Sequence, residues 1–383
     1  MKFLCPCVSF VVLVLLAANQ AASGADQSEA NTDKAATHST QANASAASGG
    51  PQKTSFLSQH ISFQTLDGSM RYLYADQAEH KVTSRTLQYK ISTRLQVNLD
   101  RCGNSYFQAR GETGTAYNLS WNSTGVGLNP PADRFNVKTF FYGQKIGSHF
   151  EAQVGGLEYD WGAGTEATYS DYDGFFEGYR LRYSMPANRW LPEKIDVTAG
   201  YLGDFAQLNV FSRLHRLADN NYWQVLAQKK LREHAEASVE YDWLEGIHYT
   251  REALHWQKLP LRVIDDMEAE VITRLSDDAS FGGALTLTKS VDHLSHWKFG
   301  GLFVNMPQRI FMNGTGTVLI NADMYGVGQH IGPIVRVSPI KDFEVTIIGF
   351  HRLDSTPGVR NRAYVGVRYQ FSGLANRLLR ART

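Results

Sequence analysis

The feature that most constrains this chain is a period of two in its hydrophobic residues, which recurs between about residues 55 and 371. In the segment 362–371, for example, Val365 and Val367 alternate with polar residues such as Arg368. Because successive side chains of a strand point to opposite faces of a sheet, this pattern predicts a strand with one apolar and one polar face. The same alternation predicts strands at 69–75, 87–99, 194–205, 236–243, 267–275, 281–289 and 345–353.

The N-terminal segment has the composition of a secretory signal peptide. Lys2 is its only charged residue, an apolar run covers residues 3–18, and small residues occupy 21–25. These features suit cleavage by signal peptidase. The apolar run is shorter than the roughly 20 residues of a membrane-spanning helix, and both cysteines of the segment lie too early for a lipoprotein. We therefore expect a signal peptide at residues 1–24.

The rest of the chain divides into three segments by composition. Residues 25–54 contain few bulky apolar side chains, so we expect a disordered low-complexity spacer that cannot offset the entropy of ordering. Residues 55–371 carry the alternating strands, and residues 372–383 form a basic tail that favours a short helix. After the signal peptide no apolar run of 18 residues occurs, which excludes a helical membrane protein.

Charge and cysteine content exclude further classes. The chain has 38 basic and 37 acidic residues, and this balance gives no support for a nucleic-acid partner. Only Cys102 lies beyond the signal peptide, so a small scaffold held by internal disulfides is excluded. The mean hydropathy of −0.31 suits a soluble protein and a membrane barrel equally, because a barrel alternates lipid-facing and interior residues.

The predicted connections between strands alternate in length, which is typical of outer-membrane barrels. Short turns are expected near residues 100–104, 146–148, 232–234, 276–278 and 340–342. Long loops are expected near residues 118–134, 162–173, 207–220, 245–260 and 314–329.

The number of strands follows from the parity of these connections. Pattern alone supports 14 strands between residues 87 and 371. If every short turn lies on one side, an extra strand is needed near 309–313, and an even total then requires another at 69–75. The expected fold is an all-β, transmembrane, antiparallel up-and-down β-barrel of about 16 strands, with about 14 as the alternative.

Alternation alone does not say which face of the sheet meets water. A strict up-and-down order favours one closed barrel over a sandwich. Aromatic side chains near the strand ends on the apolar faces favour a girdle at the two membrane surfaces, and therefore an apolar exterior. These aromatic residues are Tyr159, Trp161, Tyr201, Phe205, Tyr241, Trp243, Tyr369 and Phe371.

Charges on the opposite faces divide into two groups. Strands near both ends of the barrel sequence, which closure would bring together, supply a predicted basic wall of the lumen: Lys90, Arg94, Arg110, Arg336, Arg352, Arg362 and Arg368. Middle strands supply a predicted acidic wall across from it: Asp196, Glu240, Asp242, Glu268 and Glu270. The two walls would impose a transverse field on a hydrated channel. The alternative is a set of charges paired with near neighbours across strands.

Taken together, residues 69–371 resemble the bacterial porins, outer-membrane β-barrels as a class. The local signature is the last strand, 363–371, which ends in the aromatic Phe371. In this class such a strand resembles the signal that the outer-membrane assembly machinery recognises, although here residues 372–383 follow it. The resemblance implies the bacterial outer membrane as location and the lipid bilayer as partner. It also implies a homotrimer, for which the sequence itself carries no mark.

Other chemistry has little support in the sequence. Asp171 and Asp173 share a loop, but a calcium site needs more oxygen ligands at set spacing. The glycine-containing stretch 161–165 lacks the strand-to-helix context of a phosphate loop and suits a loop folding into the mouth of a pore. His248 and His255, in the predicted loop 245–260, are the best positions for a hydrolytic site, yet no nucleophile motif accompanies them.

These observations favour a channel for small hydrophilic or charged solutes. We expect no enzyme, no cofactor and no metal site. Two alternatives stay open: a barrel with a closed lumen that binds partners through its surface loops, and an outer-membrane hydrolase.

Overall fold

The computed structural model describes residues 60–77, 81–163, 167–168, 172–186, 190–259, 261–276, 279–291, 296–311, 326–355 and 358–381. The predicted signal peptide and spacer lie outside the described residues and stay predictions. Among the residues described, no helix is both long and apolar enough to cross a membrane.

The described residues form seventeen strands in one antiparallel sheet, followed by a short C-terminal helix. The helix, α1 (Ser372–Ala381), occupies the basic tail, where the sequence favours one. In chain order the strands are β1 (Ile61–Gln77), β2 (Val82–Asn98), β3 (Ser105–Thr113), β4 (Asn122–Gly127), β5 (Phe135–Ile146), β6 (Phe150–Leu157), β7 (Phe176–Ser184), β8 (Lys194–Tyr201), β9 (Tyr222–Arg232), β10 (Ala235–Leu244), β11 (Ile247–Gln257), β12 (Asp266–Arg274), β13 (Ser280–Ser290), β14 (Trp297–Met306), β15 (Gly328–Ile340), β16 (Phe343–Arg352) and β17 (Val359–Gln370).

The sheet closes on itself, because β1 pairs with β17 on one side and with β2 on the other. β4 is not one of the strands that close the barrel. It pairs with β2 at Gln88 and Tyr89, beyond the part of β2 that β3 covers, while β3 pairs directly with β5. The closed barrel therefore has sixteen strands, which confirms the predicted fold class and count.

The predicted number of strands is correct, but two of the predicted elements are wrong. The predicted loop 245–260 is mostly β11, and the predicted strand near 309–313 begins with a 3-10 helix, Gln308–Phe311. The alternation of apolar and polar residues does not identify β11. Its interior positions include Arg251, and its outer positions include Thr250 and Glu252. Neither face of β11 is uniformly apolar, so the hydrophobic period of two is lost.

Strand direction gives the barrel a turn end, where β2 ends and β3 begins, and a loop end opposite it. The long connections 114–134, 158–175 and 202–221 all lie at the loop end, as predicted. Short connections occur at both ends, however. Leu244 pairs with Ile247 and with Tyr222, so the tight turn between β10 and β11 lies at the loop end. β12 also ends there, since Arg274 pairs with Tyr249, so the premise that all short turns share one side is wrong.

The outer face of the barrel is largely apolar, and its interior holds both charged and apolar side chains. Large apolar side chains on the outer face are exposed, for example Leu181, Val225, Val239 and Val365, each at more than a third of its area. Alternate positions point inward and include buried charged residues such as Glu240. Tyr241 and Phe371 are exposed as a girdle would require, but Tyr159 is buried and Trp161 lines an interior cavity, because both belong to the connection 158–175.

Candidate functional site: a charged interior cavity

A cavity of about 770 Å³ lies inside the barrel, beside β1, β2, β3, β16 and β17. Its remaining wall comes from two connections. One lies between β3 and β5 and contributes Asn118, Leu119, Trp121 and Asn129. The other lies between β6 and β7, and we call its described residues, 158–163, 167–168 and 172–175, the crossing segment. The lining is rich in charge and in aromatic rings. It includes Asp67, Arg71, Lys90, Arg94, Arg110, Glu112, Trp121, Glu158, Tyr159, Trp161, Tyr172, Asp173, Glu344, Arg362, Tyr364 and Arg368.

Most of the predicted basic wall lines this cavity. Lys90, Arg94, Arg110, Arg362 and Arg368 are among its lining residues. They come together because β17 closes onto β1, as the predicted closure requires.

Two predicted basic residues lie elsewhere. Arg336 and Arg352, both in described strands, are not among the lining residues. Arg352 is in register with His330 and has its Nε 4.0 Å from Asp354 Oδ1 near the loop end. A further cation, Arg71, lines the cavity and stacks over the Trp121 ring with its guanidinium carbon 4.2 Å from the ring centroid. No charge clustering in the sequence singles out Arg71.

The basic residues of the cavity face carboxylates that the sequence did not assign to a wall. Lys90 Nζ lies 2.7 Å from Asp173 Oδ1 and 3.6 Å from Glu112 Oε1. Arg94 forms an ion pair with Glu158. Glu158 and Asp173 stand at the two ends of the crossing segment, so the pairs Arg94–Glu158 and Lys90–Asp173 join the barrel wall to this segment.

The crossing segment is anchored to the far wall by hydrogen bonds. The Ala163 amide donates to Ser238 Oγ of β10 at 2.8 Å. The amides of Ala167 and Thr168 donate to the two carboxylate oxygens of Glu270 in β12, each at 3.1 Å. Arg251 Nε of β11 donates to the Thr168 carbonyl at 2.8 Å. Together with the contact between Asp173 and β2, these bonds place the described residues of the segment across the interior. The predicted loop 161–165 lies partly outside the described residues.

The predicted acidic wall is engaged in pairing, and none of its five residues is among those lining the cavity. Asp196 accepts from Arg182 Nε at 2.9 Å and lies 2.7 Å from Lys194 Nζ. Glu240 and Asp242 both pair with Arg251, which is fully buried.

The other two acidic-wall residues are occupied in different ways. Glu270 accepts from backbone amides of the crossing segment, and Glu268 Oε1 lies 3.7 Å from His255 Nε2. The sequence placed these side chains on the correct face of the sheet. It could not reveal their partners, because Arg251 lay in a segment predicted as a loop and the anchors lie in a connection.

Among the described residues, a cluster of apolar side chains occupies the interior at the loop end beside β11, β12 and β14–β16. The Tyr249 hydroxyl donates to the Ile310 carbonyl at 3.1 Å, and Arg274 Nη1 donates to the Arg309 carbonyl at 3.0 Å. Both bonds hold the 3-10 helix 308–311 against the wall. The buried apolar residues here include Ile247, Ile272, Leu302, Val304, Met306, Ile334, Ile348 and Phe350.

Neighbouring positive charges favour the ionised form of Asp160, a residue of the crossing segment. Burial raises the pKa of Asp160, but the charges of Arg180, Arg182 and Lys194 outweigh it and hold that pKa well below its usual value. Arg182 Nη2 lies 2.6 Å from Asp160 Oδ2. The segment is thereby bound to β7 as well as to β10–β12.

The other chemical candidates do not form a catalytic constellation. His248 and His255 lie in β11, not in a loop, because that segment is a strand. His248 Nδ1 contacts the Tyr241 hydroxyl at 2.5 Å, and His255 Nε2 contacts Asp266 at 3.0 Å. Asp173 is engaged with Lys90 and with the Ser120 amide, while Asp171 lies outside the described residues.

A closed sixteen-stranded antiparallel barrel with a charged interior is the fold of the porins. The chain is similar to Salmonella typhi OmpF, in a complex with daunomycin, with a TM-score of 0.52 and 11% identity over 83% of this chain and 100% of that chain. It is similar to a multiply substituted Rh. blastica porin with a TM-score of 0.50 and 10% identity, over 81% of this chain and 100% of the other. No family model matches the sequence, and no curated protein matches it. At these identities the likeness concerns the fold.

Proposed function

We propose that the protein is a porin-like channel of a bacterial outer membrane, through which small hydrophilic or charged solutes diffuse. The observation that carries the proposal is the charged cavity of about 770 Å³ inside a barrel whose outer face is apolar. A charged interior is costly in a dry core and tolerable in a water-filled one. An outer surface of exposed leucine, valine and aromatic side chains is in turn the surface that a bilayer covers.

The route to the membrane is part of this proposal. The predicted signal peptide at 1–24 would export the chain, and the aromatic end of β17 would present it to the outer-membrane assembly machinery. Phe371 is 40% exposed beside Tyr369, with ring centroids 4.6 Å apart. Porins resemble this chain in fold, and a homotrimer would follow from the same resemblance.

We propose that the field across the channel runs between the barrel wall and the crossing segment. Our proposal assigns the positive side to the barrel wall at Lys90, Arg94 and Arg368, and the negative side to Glu158 and Asp173 of the crossing segment. Solutes would pass through the cavity beside these ion pairs, with their dipoles oriented by the field of the charged lining.

Planar-bilayer conductance of the purified, folded chain tests the channel. Stable and reproducible conductance steps are expected, because the cavity is lined by groups that hold water. A barrel that folds correctly and stays electrically silent would overturn the proposal.

A silent barrel would favour the second candidate, a surface-binding barrel with a closed lumen. The observation that supports this candidate is the apolar filling of the interior together with the anchored crossing segment. We assign no enzymatic role to any residue.

A further inference from the structure

The C-terminal helix α1 lies at the turn end of the barrel, beside a part of β1 that β17 does not cover. β1 is longer than its neighbour there, because pairing with β17 stops at Asp67 and Gln370 while β1 continues back to Ile61. The Phe371 amide donates to the Leu66 carbonyl at 2.6 Å, which is the last bond between the two chain segments before the helix begins.

Asn376 takes the place of the missing strand neighbour. Its side-chain amide donates to the Phe63 carbonyl at 2.8 Å and its side-chain oxygen accepts from the Phe63 amide at 2.9 Å. One side chain thus satisfies both backbone groups of a residue on the free edge of β1, and an uncovered edge is a hazard that proteins avoid. The bonds fix which side of α1 faces the barrel.

The opposite side of α1 is apolar and exposed. Leu374 is 48% exposed and Leu378 is 55% exposed. At 100° per residue both lie roughly opposite Asn376 around the helix axis, and a spacing of four residues makes them neighbours. Within the part of the chain that the structure describes, nothing buries this pair.

The helix and the residues after it are basic. The sequence 372–383 contains Arg377, Arg380 and Arg382 and no acidic residue. A short amphipathic helix with leucine on one face and arginine beside it is typical of a segment that lies in the headgroup layer of a membrane, where anionic lipids attract the cations.

The position of α1 agrees with this chemistry. It starts directly after Phe371, the exposed aromatic residue at the turn end of the last strand. Aromatic residues in that position mark the boundary between the hydrocarbon core and the headgroups. The exposed leucines therefore lie at the depth where the headgroup layer begins.

We propose that α1 is an interfacial anchor, lying in the lipid leaflet at the turn end with Leu374 and Leu378 in the acyl region and Arg377 at the lipid phosphates. The proposal rests on the proposed function, because it requires the barrel to sit in a bilayer. It gives the tail that departs from the porin pattern a role of its own. The tail would hold the free edge of β1 closed at the membrane surface.

Site-specific fluorescence in lipid vesicles tests the anchor. The full chain is prepared with Cys5, Cys7 and Cys102 replaced by serine, and a single cysteine at position 378 carries an environment-sensitive dye. The vesicles contain phosphatidylethanolamine and phosphatidylglycerol, with nitroxide quenchers at the headgroup or deep in the acyl chain. We expect a blue-shifted probe that the headgroup quencher quenches most, and weaker quenching without phosphatidylglycerol or after Arg377→Glu.

Two control sites separate the possible failures. A dye attached through Val239→Cys, mid-strand on the outer face of β10, reports whether the barrel lies in the membrane. A dye on native Cys102, which is exposed in a turn at the turn end of the barrel, reports contact with water.

If position 239 is quenched while position 378 behaves like Cys102, the anchor is refuted and the membrane barrel stands. If position 239 is not quenched, the proposed function fails as well. If position 378 is shielded in detergent without lipid, in proportion to protein concentration, a second protein copy covers the helix and the anchor is again refuted.

Discussion

Lys90 of β2 and Asp173 of the crossing segment form a buried ion pair, with Nζ and Oδ1 2.7 Å apart. This pair joins the barrel wall to the chain segment that divides the interior, since the same segment reaches Glu270 of β12 through its backbone amides. The placement of charges and the shape of the interior are therefore linked through this segment.

The first prediction concerns ion selectivity. Replacing Lys90, Arg94 and Arg368 together by glutamine removes three cations from one wall of the cavity and leaves Glu158 and Asp173 in place. We expect the reversal potential in a salt gradient to shift towards cation preference. The matched control replaces the exposed turn-end cations Arg101, Lys145 and Lys341 by glutamine. An equal shift in both triple variants would show that net charge, rather than the cavity wall, sets selectivity.

The second prediction concerns stability. Arg251 is fully buried between Glu240 and Asp242, so Arg251→Met leaves two buried carboxylates without their cation. Loss of one partner of a buried pair costs about 3–5 kcal/mol, and we expect the free energy of unfolding in urea to fall by that order. Arg216→Met, which removes two solvent-accessible ion pairs, with Asp204 and with Asp219, should cost much less, because water screens such pairs. Similar losses in the two variants would argue against the burial of Arg251.

The third prediction concerns the anchor of the crossing segment. Glu270→Gln leaves one carbonyl oxygen for the amides of Ala167 and Thr168, so one of these amides loses its acceptor. A buried donor without a partner costs about 1–3 kcal/mol. We expect more open-channel noise and a broader distribution of single-channel conductance. Glu236→Gln, at an inward position of β10, two strands away from β12, is the control. Unchanged noise in the Glu270 variant would mean that other bonds suffice to hold the segment.

The fourth prediction concerns pH. The pKa of Asp160 lies well below its usual 3.8, because Arg180, Arg182 and Lys194 outweigh the effect of burial. A lowered pKa adds stability at any pH above the unfolded value, and that contribution is lost as pH falls from 3.8 through the folded pKa. We therefore expect Asp160→Asn to be less stable than the natural protein at pH 7, with the difference shrinking below pH 3.8. A difference that stays constant over this range would show that the carboxylate charge is not responsible.

Prediction from sequence succeeded where a single strand carries its own pattern. The alternation of Val365, Val367 and Arg368 assigned each side chain of β17 to the correct face, and closure of β17 on β1 brought Lys90 and Arg368 to one cavity. It failed at β11, since Thr250 and Glu252 on the outer face interrupt the apolar pattern. The strand count was right only because the missed β11 offset a strand wrongly placed at 309–313.

The direction of each side chain, inward or outward, was therefore decided by the sequence, because a period of two is a local property of the backbone. The partners of those side chains were decided by the tertiary structure. Glu240 meets Arg251, Glu270 meets the crossing segment, and Lys90 meets Asp173, each across many residues of chain. The sequence places the acidic residues inside the barrel. Only the folded chain shows that they are occupied there, and that the open charged surface lies against β1, β2 and β17.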